Sequence, residues 1–371
     1  MKLIKIFLQC TLIGLLLGSC IQDEAPNAEA DIETCTVVSP EGIINDVHIG
    51  NRQITLFVKP GSDLSQVELD FTLTPGATIT PASGTIQNLT SPKTYTVTSE
   101  DGQWKKSYVI SATTSLPSIP TKYDFEHYEL VDNKYYTFYE ISAGGVKQNI
   151  WASGNSAFAI AAFGKGPEAY PTVPYEVGRT DKGVKLETKS TGFGALVNMP
   201  IASGNLYIGK FDNSAIVVGN QEASLKATLF GADFDFVPKA LTGYYQYKAG
   251  AKFTEGNGSV NPDAKDSFDI YAIIYEPNDD TPYLNGTNQL TSPLLVSVAR
   301  IKEADRVETD KWTAFNIPFE TLPGKTLDRI KLANGKYKIS VIFASSINGD
   351  RFRGAVGSTL LIDDVVITTE D

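Results

Sequence analysis

The stretch "LLIDDVVI" (360–367) reads as a buried strand, yet it carries Asp363 and Asp364 in its middle. Successive side chains of a strand point to opposite faces, so one carboxylate should turn inward whichever face is buried. A buried carboxylate is costly unless it is paired, hydrogen-bonded or bound to a cation. Three kinds of partner are open. Arg351 or Arg353 of "NGDRFRG" could reach it, backbone N–H groups could meet it at a turn or bulge, or a calcium ion could take it among several oxygen ligands. Alternation alone does not decide which aspartate faces in.

Other chemistry is thinly supplied. The only histidines are His48 and His127, and they fall in different segments of the chain. That leaves no His/Cys zinc set, and a serine–histidine pair would rest on His127 alone. No glycine-rich phosphate cradle follows a strand and opens a helix. Carboxylates are plentiful, and a glycosidase needs two across a cleft. Asp233, Asp235, Glu276, Asp279 and Asp280 lie nearest to aromatic residues and read as solvated loop acids. Sugar binding asks for aromatic faces and planar polar groups. Trp151, Tyr245, Tyr275, Tyr283 and Trp312 are the candidate platforms, taken as a group because core packing competes for each ring. In "GYYQYKAG", Tyr244 and Tyr245 should point to opposite faces, with Tyr247 beside Tyr245.

The elements that must hold these residues are strands. Residues 35–113 alternate apolar and polar positions in short runs, with Pro-Gly pairs at 60–61 and 75–76. "KTYTVTSEDGQWKKSYVISA" reads as a hairpin turning at Asp101 and Gly102, with Trp104 packing across it. That rhythm predicts an Ig-like sandwich. Residues 114–121 carry two prolines and read as a linker. Residues 122–371 predict a larger jelly-roll β-sandwich, so the chain is all-β. The run 270–275 is too apolar for a strand with one wet face and should lie centrally. "KTLDRIKLA" is the one helix candidate.

The N-terminus reads as a secretory signal over residues 1–19. Its end, "LGSC", resembles a bacterial lipobox, which implies lipid on Cys20 and an outer-membrane, surface-exposed location. An acidic tether follows over residues 20–34, and Gln22, Asp23 and Glu24 resemble a surface-export tag. Cys10 leaves with the signal and Cys35 has no partner, so the core rather than disulfides must hold the fold. A net charge of −11 with no Lys/Arg cluster disfavours nucleic acid.

Ordered pieces of the second segment carry a family resemblance: "YDFEHYEL", "WASGNSAFAIAAFG", "VPYEVGRTDKGVKLETKSTG", "LFGADFDFVPKALTGYYQYKAG", "SVARIKEADRVETDKWTAFNIPFE" and "SSINGDRFRGAVGSTLLIDDVVI". Together they resemble the putative carbohydrate metabolism domain of bacterial surface lipoproteins, whose members carry an Ig-like domain in front. The resemblance implies a sandwich shaped like carbohydrate-binding modules and assigns no catalytic residue. The opening "FE" and closing "DD" resemble the paired ends of sugar-binding sandwiches that hold a structural calcium. On that reading Glu126 and one of Asp363 or Asp364 share Ca²⁺. The expectation is a non-catalytic, lipid-anchored glycan-binding protein of a surface glycan-uptake complex. An adhesion or assembly protein and a glycoside hydrolase are the alternatives.

Overall fold

The computed structural model describes residues 26–59, 62–113, 119–142, 145–159, 161–162, 164–333 and 335–370. The signal segment and Cys20 lie outside the described residues.

In the first domain, strands Ile32–Ser39, Val67–Leu73 and Ile86–Gln87 form one sheet. Ile44–Ile49, Gln53–Val58, Lys105–Thr113, Lys93–Thr98 and Thr78–Thr80 form the other. The alternating positions meet between them: Ile54, Leu56, Val67, Leu69, Tyr95, Val97, Tyr108 and Ile110 share one core. Cys35 is fully buried there, and burial pushes its thiol up to about 12, which leaves it inert. Two expectations change. The domain starts before residue 35, because Ala30 and Ile32 join the core and Tyr108 donates to Asp31 at 2.7 Å. Trp104 is 63% exposed, because it lies beyond the last cross-strand pair of the hairpin, Thr98 with Lys105.

The second domain stacks two main sheets. One runs Thr172–Tyr175, Gly183–Glu187, Thr359–Thr369, Pro238–Lys248, Thr309–Pro318. The other is centred on Asn205–Phe211, Tyr337–Ala344, Asp269–Tyr275 and Leu295–Arg300. The core between them includes Tyr245, Ile270, Ala272, Ile274, Val341 and Ile362. A separate cluster with Tyr207, Phe230, Tyr271 and Ile273 covers the back of the second sheet, so every residue of Asp269–Tyr275 is buried. That double cover is what its unbroken apolar run required. The helix expected in "KTLDRIKLA" spans Arg329–Ala333. The linker's end belongs to this domain, since Ile119 joins the core and the Ile367 N–H reaches the Thr121 carbonyl at 2.7 Å. The domains touch where His48 meets Phe236 edge-on at 4.3 Å and Gln148 donates to Asp46.

The paired aspartates are accommodated by a β-bulge. Tyr244 pairs with Asp363 and Thr242 with Val366, so Gly243 alone faces Asp364 and Val365. Asp364 takes a φ of 49°, and the alternation slips by one residue. Ile362 and Val365 therefore both reach the core, which leaves both aspartates outside it.

Asp363 is nevertheless fully buried, because loop 176–182 lies over it. The N–H groups of Arg179 and Thr180 donate to its Oδ2 at 2.6 and 3.1 Å, and that of Asp364 to its Oδ1 at 2.7 Å. Burial pushes this carboxyl up to about 6 against the pull of those donors. A Cβ on Gly178 would lie 2.7 Å from the Asp363 Oδ2, so only glycine fits there. Asp364 pairs with Arg179. The basic partner is thus Arg179 and neither expected arginine: Arg353 pairs with Glu255 at 2.6 Å, and Arg351 lies 3.8 Å from Asp350.

The first and last strands do meet, with Tyr123 opposite Val365 and Lys122 opposite Val366. Glu126 then accepts the Lys182 N–H at 2.9 Å, so opening and closing carboxylates grip one loop. Protein N–H groups face all three carboxylates. That donor set supports a hydrogen-bonded clasp over the calcium site, whose ion would need several oxygen lone pairs turned toward it. Among the described residues no group of three His, Cys, Asp or Glu is placed to hold a metal.

One further buried acid sits beneath the clasp. Trp151 is 4% exposed, packs on Tyr123 and Phe125 at 5.1 and 5.3 Å, and donates from Nε1 to Glu140 at 2.7 Å. Burial pushes the Glu140 carboxyl up to about 8, and the indole hydrogen bond only partly offsets this.

Two expectations follow for stability. Asp364→Val puts a β-branched residue at a left-handed position and removes the Arg179 pair, so urea denaturation should show a loss of roughly 2–3 kcal/mol. Asp364→Asn tolerates that backbone and should lose less than half as much. Melting curves of the wild type with and without a calcium chelator should superimpose. For Glu140 the native pKa lies above the unfolded one. The native state therefore holds a proton that the unfolded chain releases, and stability falls as pH rises from about 4.5 to about 8. Glu140→Gln keeps an acceptor for the indole and removes that loss. Its stability relative to wild type should rise by on the order of 4 kcal/mol across that window, read from urea curves at each end.

Candidate functional site

The five rings chosen from the sequence do not come together. Trp151, Tyr245 and Tyr275 are 4%, 2% and 0% exposed and serve the core. The Tyr275 hydroxyl donates to the Phe230 carbonyl at 2.6 Å. The Tyr245 hydroxyl donates to the carbonyls of Asp305 and Val307 at 3.2 and 3.3 Å. As ligand platforms Trp151 and Tyr275 are corrected, since each sits on the inward or doubly covered side of its strand; Tyr245 also packs inward, but its side chain lies on the lining of a groove at the mouth of the sandwich. Tyr283 is half-buried between the Lys210 and Lys338 amines, 5.7 and 5.0 Å from its ring centre. Trp312 is also half-buried, and its Nε1 lies 3.3 Å from the Gln246 side-chain oxygen. Tyr244 points to the outer face, as alternation required, and the Arg179 guanidinium covers its ring at 3.8 Å. Of the loop acids, Asp233 pairs with Lys338 and Glu276 with Lys331, so both read as solvated ion pairs.

The structure supplies a different concavity. Thr309–Pro318 is the last strand of the first sheet, and among the described residues no strand pairs with its outer edge. The second sheet ends opposite it at Leu295–Arg300 and Glu320–Thr321. Between these edges, at the mouth of the sandwich, lies a groove of about 870 Å³. Val298, Phe315, Ile317 and Leu322 give it an apolar floor. Arg300, Lys302, Asn316 and Glu320 stand at its rim. A second cavity of about 480 Å³ lies along the same mouth, beside Phe319 and Lys325.

The groove's fixed point is Arg300. Asp269, nearly buried, takes it from Nε at 3.0 Å and from Nη2 at 2.6 Å. Arg306 reaches the same carboxylate at 3.3 Å and the Ile301 carbonyl at 3.0 Å. These bonds hold the guanidinium plane while its side chain stays 37% exposed. Glu308, also on the lining, is held below the usual carboxylate range by Lys265 and the Ala249 N–H. An apolar floor with planar polar groups around it matches the two faces of a pyranose. Sequence reasoning passed over these rim residues. The available signal was "TAFNIPFE", where Asn316 and Glu320 take the outward positions of an alternation whose inward positions are Phe315, Ile317 and Phe319.

Comparison with known proteins gives the frame for this geometry. Residues 124–368 match the family described as "Putative carbohydrate metabolism domain". Residues 34–112 match the family "SGBP, N-terminal". No curated protein matches the chain. A solved structure described as a putative glycoside hydrolase from Bacteroides thetaiotaomicron VPI-5482 is 47% identical. The match covers 94% of this chain and 99% of that one, with a TM-score of 0.63. A second, described likewise and from Bacteroides vulgatus ATCC 8482, is 42% identical over 69% of this chain and 100% of its own, with a TM-score of 0.63. The chain therefore belongs to the putative carbohydrate metabolism domain family, and the segment ahead of that domain is similar to the SGBP N-terminal family.

Proposed function

We propose that this protein binds glycans at the cell surface through the mouth of its second sandwich and does not cleave them. The observation that carries the reading is the 870 Å³ groove, with its apolar floor and an Arg300 side chain pinned in place. The carbohydrate-related family of the domain and the SGBP match of the first domain support it. In the same reading, lipid on Cys20 ties the chain to the outer membrane, and the first domain spaces the groove away from it as part of a surface glycan-uptake assembly.

Hydrolysis is the second reading, and the description of the two solved structures favours it. A glycosidase of the usual kind needs one carboxyl kept protonated beside a second, ionised one across the scissile bond. Among the described residues, the groove is lined by Asp305, Glu308 and Glu320, and Glu308 is pushed down rather than up. Burial pushes up the carboxyls of Asp46, Glu140, Asp266, Asp350 and Asp363; none of them lines the groove, although Asp350 lies within electrostatic reach of Asp269 and Arg300. That separation supports binding over cleavage.

Titration calorimetry against a panel of soluble polysaccharides tests the reading. Lys302→Ala combined with Asn316→Ala should weaken binding at least about tenfold, or about 1.4 kcal/mol, without moving the melting curve. Release of reducing ends from a bound glycan, lost in Glu320→Gln, would replace binding by hydrolysis. For the anchor, Cys20→Ala should shift the protein from the membrane fraction to the soluble one or leave it unprocessed. Unchanged membrane retention would remove the anchor from the reading.

A further inference from the structure

The second domain has two ends. The first domain enters at one, where Lys122 and Tyr123 pair with Val366 and Val365 and His48 meets Phe236. The closing strand then runs its eleven residues to the other end, where Thr359 lies opposite Glu187 and Lys248. That is roughly 35 Å at about 3.3 Å per residue. Loops 191–200, 212–221 and 254–260 gather at this far end. The Gln221 side chain donates to the Asn198 carbonyl at 2.9 Å. A Cβ on Gly219 would sit 3.4 Å from that of Val197, and one on Gly258 would sit 4.0 Å from that of Ala195.

These loops present apolar side chains to solvent. Phe193 is 89% exposed, Leu196 82%, Val218 65%, and Val217 and Val260 55% each. They are held out by design of the backbone. Met199 N–H bonds to the Gly194 carbonyl at 2.9 Å and Thr191 N–H to the Pro200 carbonyl at 3.2 Å, with Asn198 turning the chain at φ 58°. Charge stops at the edge of these loops, at Asp212, Glu222 and Glu255: residues 190–209, 213–221 and 256–262 contain no Asp, Glu, Lys or Arg, in a chain of net charge −11.

We infer that this uncharged apolar crown is where two copies of the chain pair, end to end about a twofold axis. A symmetric contact needs only one self-complementary patch. Like charge opposes approach of two copies over most of a surface this acidic, and the crown is where that opposition is absent. Five side chains at these exposures offer on the order of 500 Å², against about 800 Å² per partner in a typical stable interface. A lipid surface is the other apolar occupant, and these loops bring no Lys or Arg to meet its headgroups. Pairing through the crown leaves the mouth of each sandwich open along its flank.

Sedimentation velocity on the full chain after signal removal, with Cys20→Ser to keep it free of lipid, tests this. From about 1 to about 100 μM the wild type should pass from monomer to dimer, and the dimer should survive high salt because no ion pair holds it. Phe193→Asp with Leu196→Asp should weaken dimerisation more than tenfold, and so should Val217→Asn with Val218→Asn, both with unchanged melting curves. Ile86→Asp, at an exposed apolar position of the first domain, should leave the dimer intact. A monomer throughout, a dimer that outlasts both crown variants, or crown-dependent uptake of the monomer onto neutral phosphatidylcholine vesicles would overturn the inference.

Discussion

A strand that contributes to a core can turn only alternate residues inward, and Thr359–Thr369 has to do so while passing two adjacent aspartates. The bulge at Asp364 resolves this by giving one partner residue, Gly243, two residues to face. Much of the second domain hangs on that slip. This strand pairs with Gly183–Glu187 on one side and with Pro238–Lys248 on the other, and it receives the domain's first residues at Lys122–Tyr123. Without the bulge, Asp364 would take a core position and Val365 would leave it. The loop 176–182 then becomes necessary, because Asp363 sits on the outer face and needs donors and a roof. Three backbone N–H groups and Arg179 supply both.

The same close packing explains why the large aromatic residues are not the recognition surface. Trp151 and Tyr275 fill the volume that two stacked sheets leave between and behind them, and their polar atoms end on internal acceptors, while Tyr245 packs in the core with its hydroxyl end at the groove wall. What remains for a ligand is the place where the stack ends. Among the described residues the edge of Thr309–Pro318 has no strand beside it, and the facing edge stands off far enough to leave a groove. Edge strands attract unwanted pairing, and this one carries devices against it: an irregularity between Tyr245 and Tyr247 opposite Asp310, Lys311 and Trp312, and a terminal Pro318. A groove guarded in that way can remain open to a carbohydrate.

Charge is distributed to match. The carboxyls that burial pushes up, Glu140 and Asp363 among them, are absent from the groove lining, and Glu308 on that lining is held down by Lys265 and the Ala249 N–H. Arg300 is the exception that gives the mouth a fixed cationic edge, since Asp269 and Arg306 hold it in a small network. Binding chemistry is well served by a rigid donor of this kind, and acid–base chemistry is not.

Local pattern determined a good deal by itself. Alternation and turn residues marked the strands of the first domain and the hairpin at Asp101 and Gly102. The unbroken apolar run 270–275 implied a strand covered on both faces, and residue order across the second segment pointed to its family. These are properties of short stretches and of their sequence neighbours, so they survive without knowledge of the fold. Tertiary structure decided the rest. Which of Tyr244 and Tyr245 met solvent depended on which side of the sheet faced its partner. The partner of Asp364 was Arg179 rather than Arg351 or Arg353, because strand pairing brought a loop more than 180 residues away closer than a neighbour in sequence. The groove could not be read at all, since its walls are the edges of two different sheets. An edge exists only once every other strand has found its place.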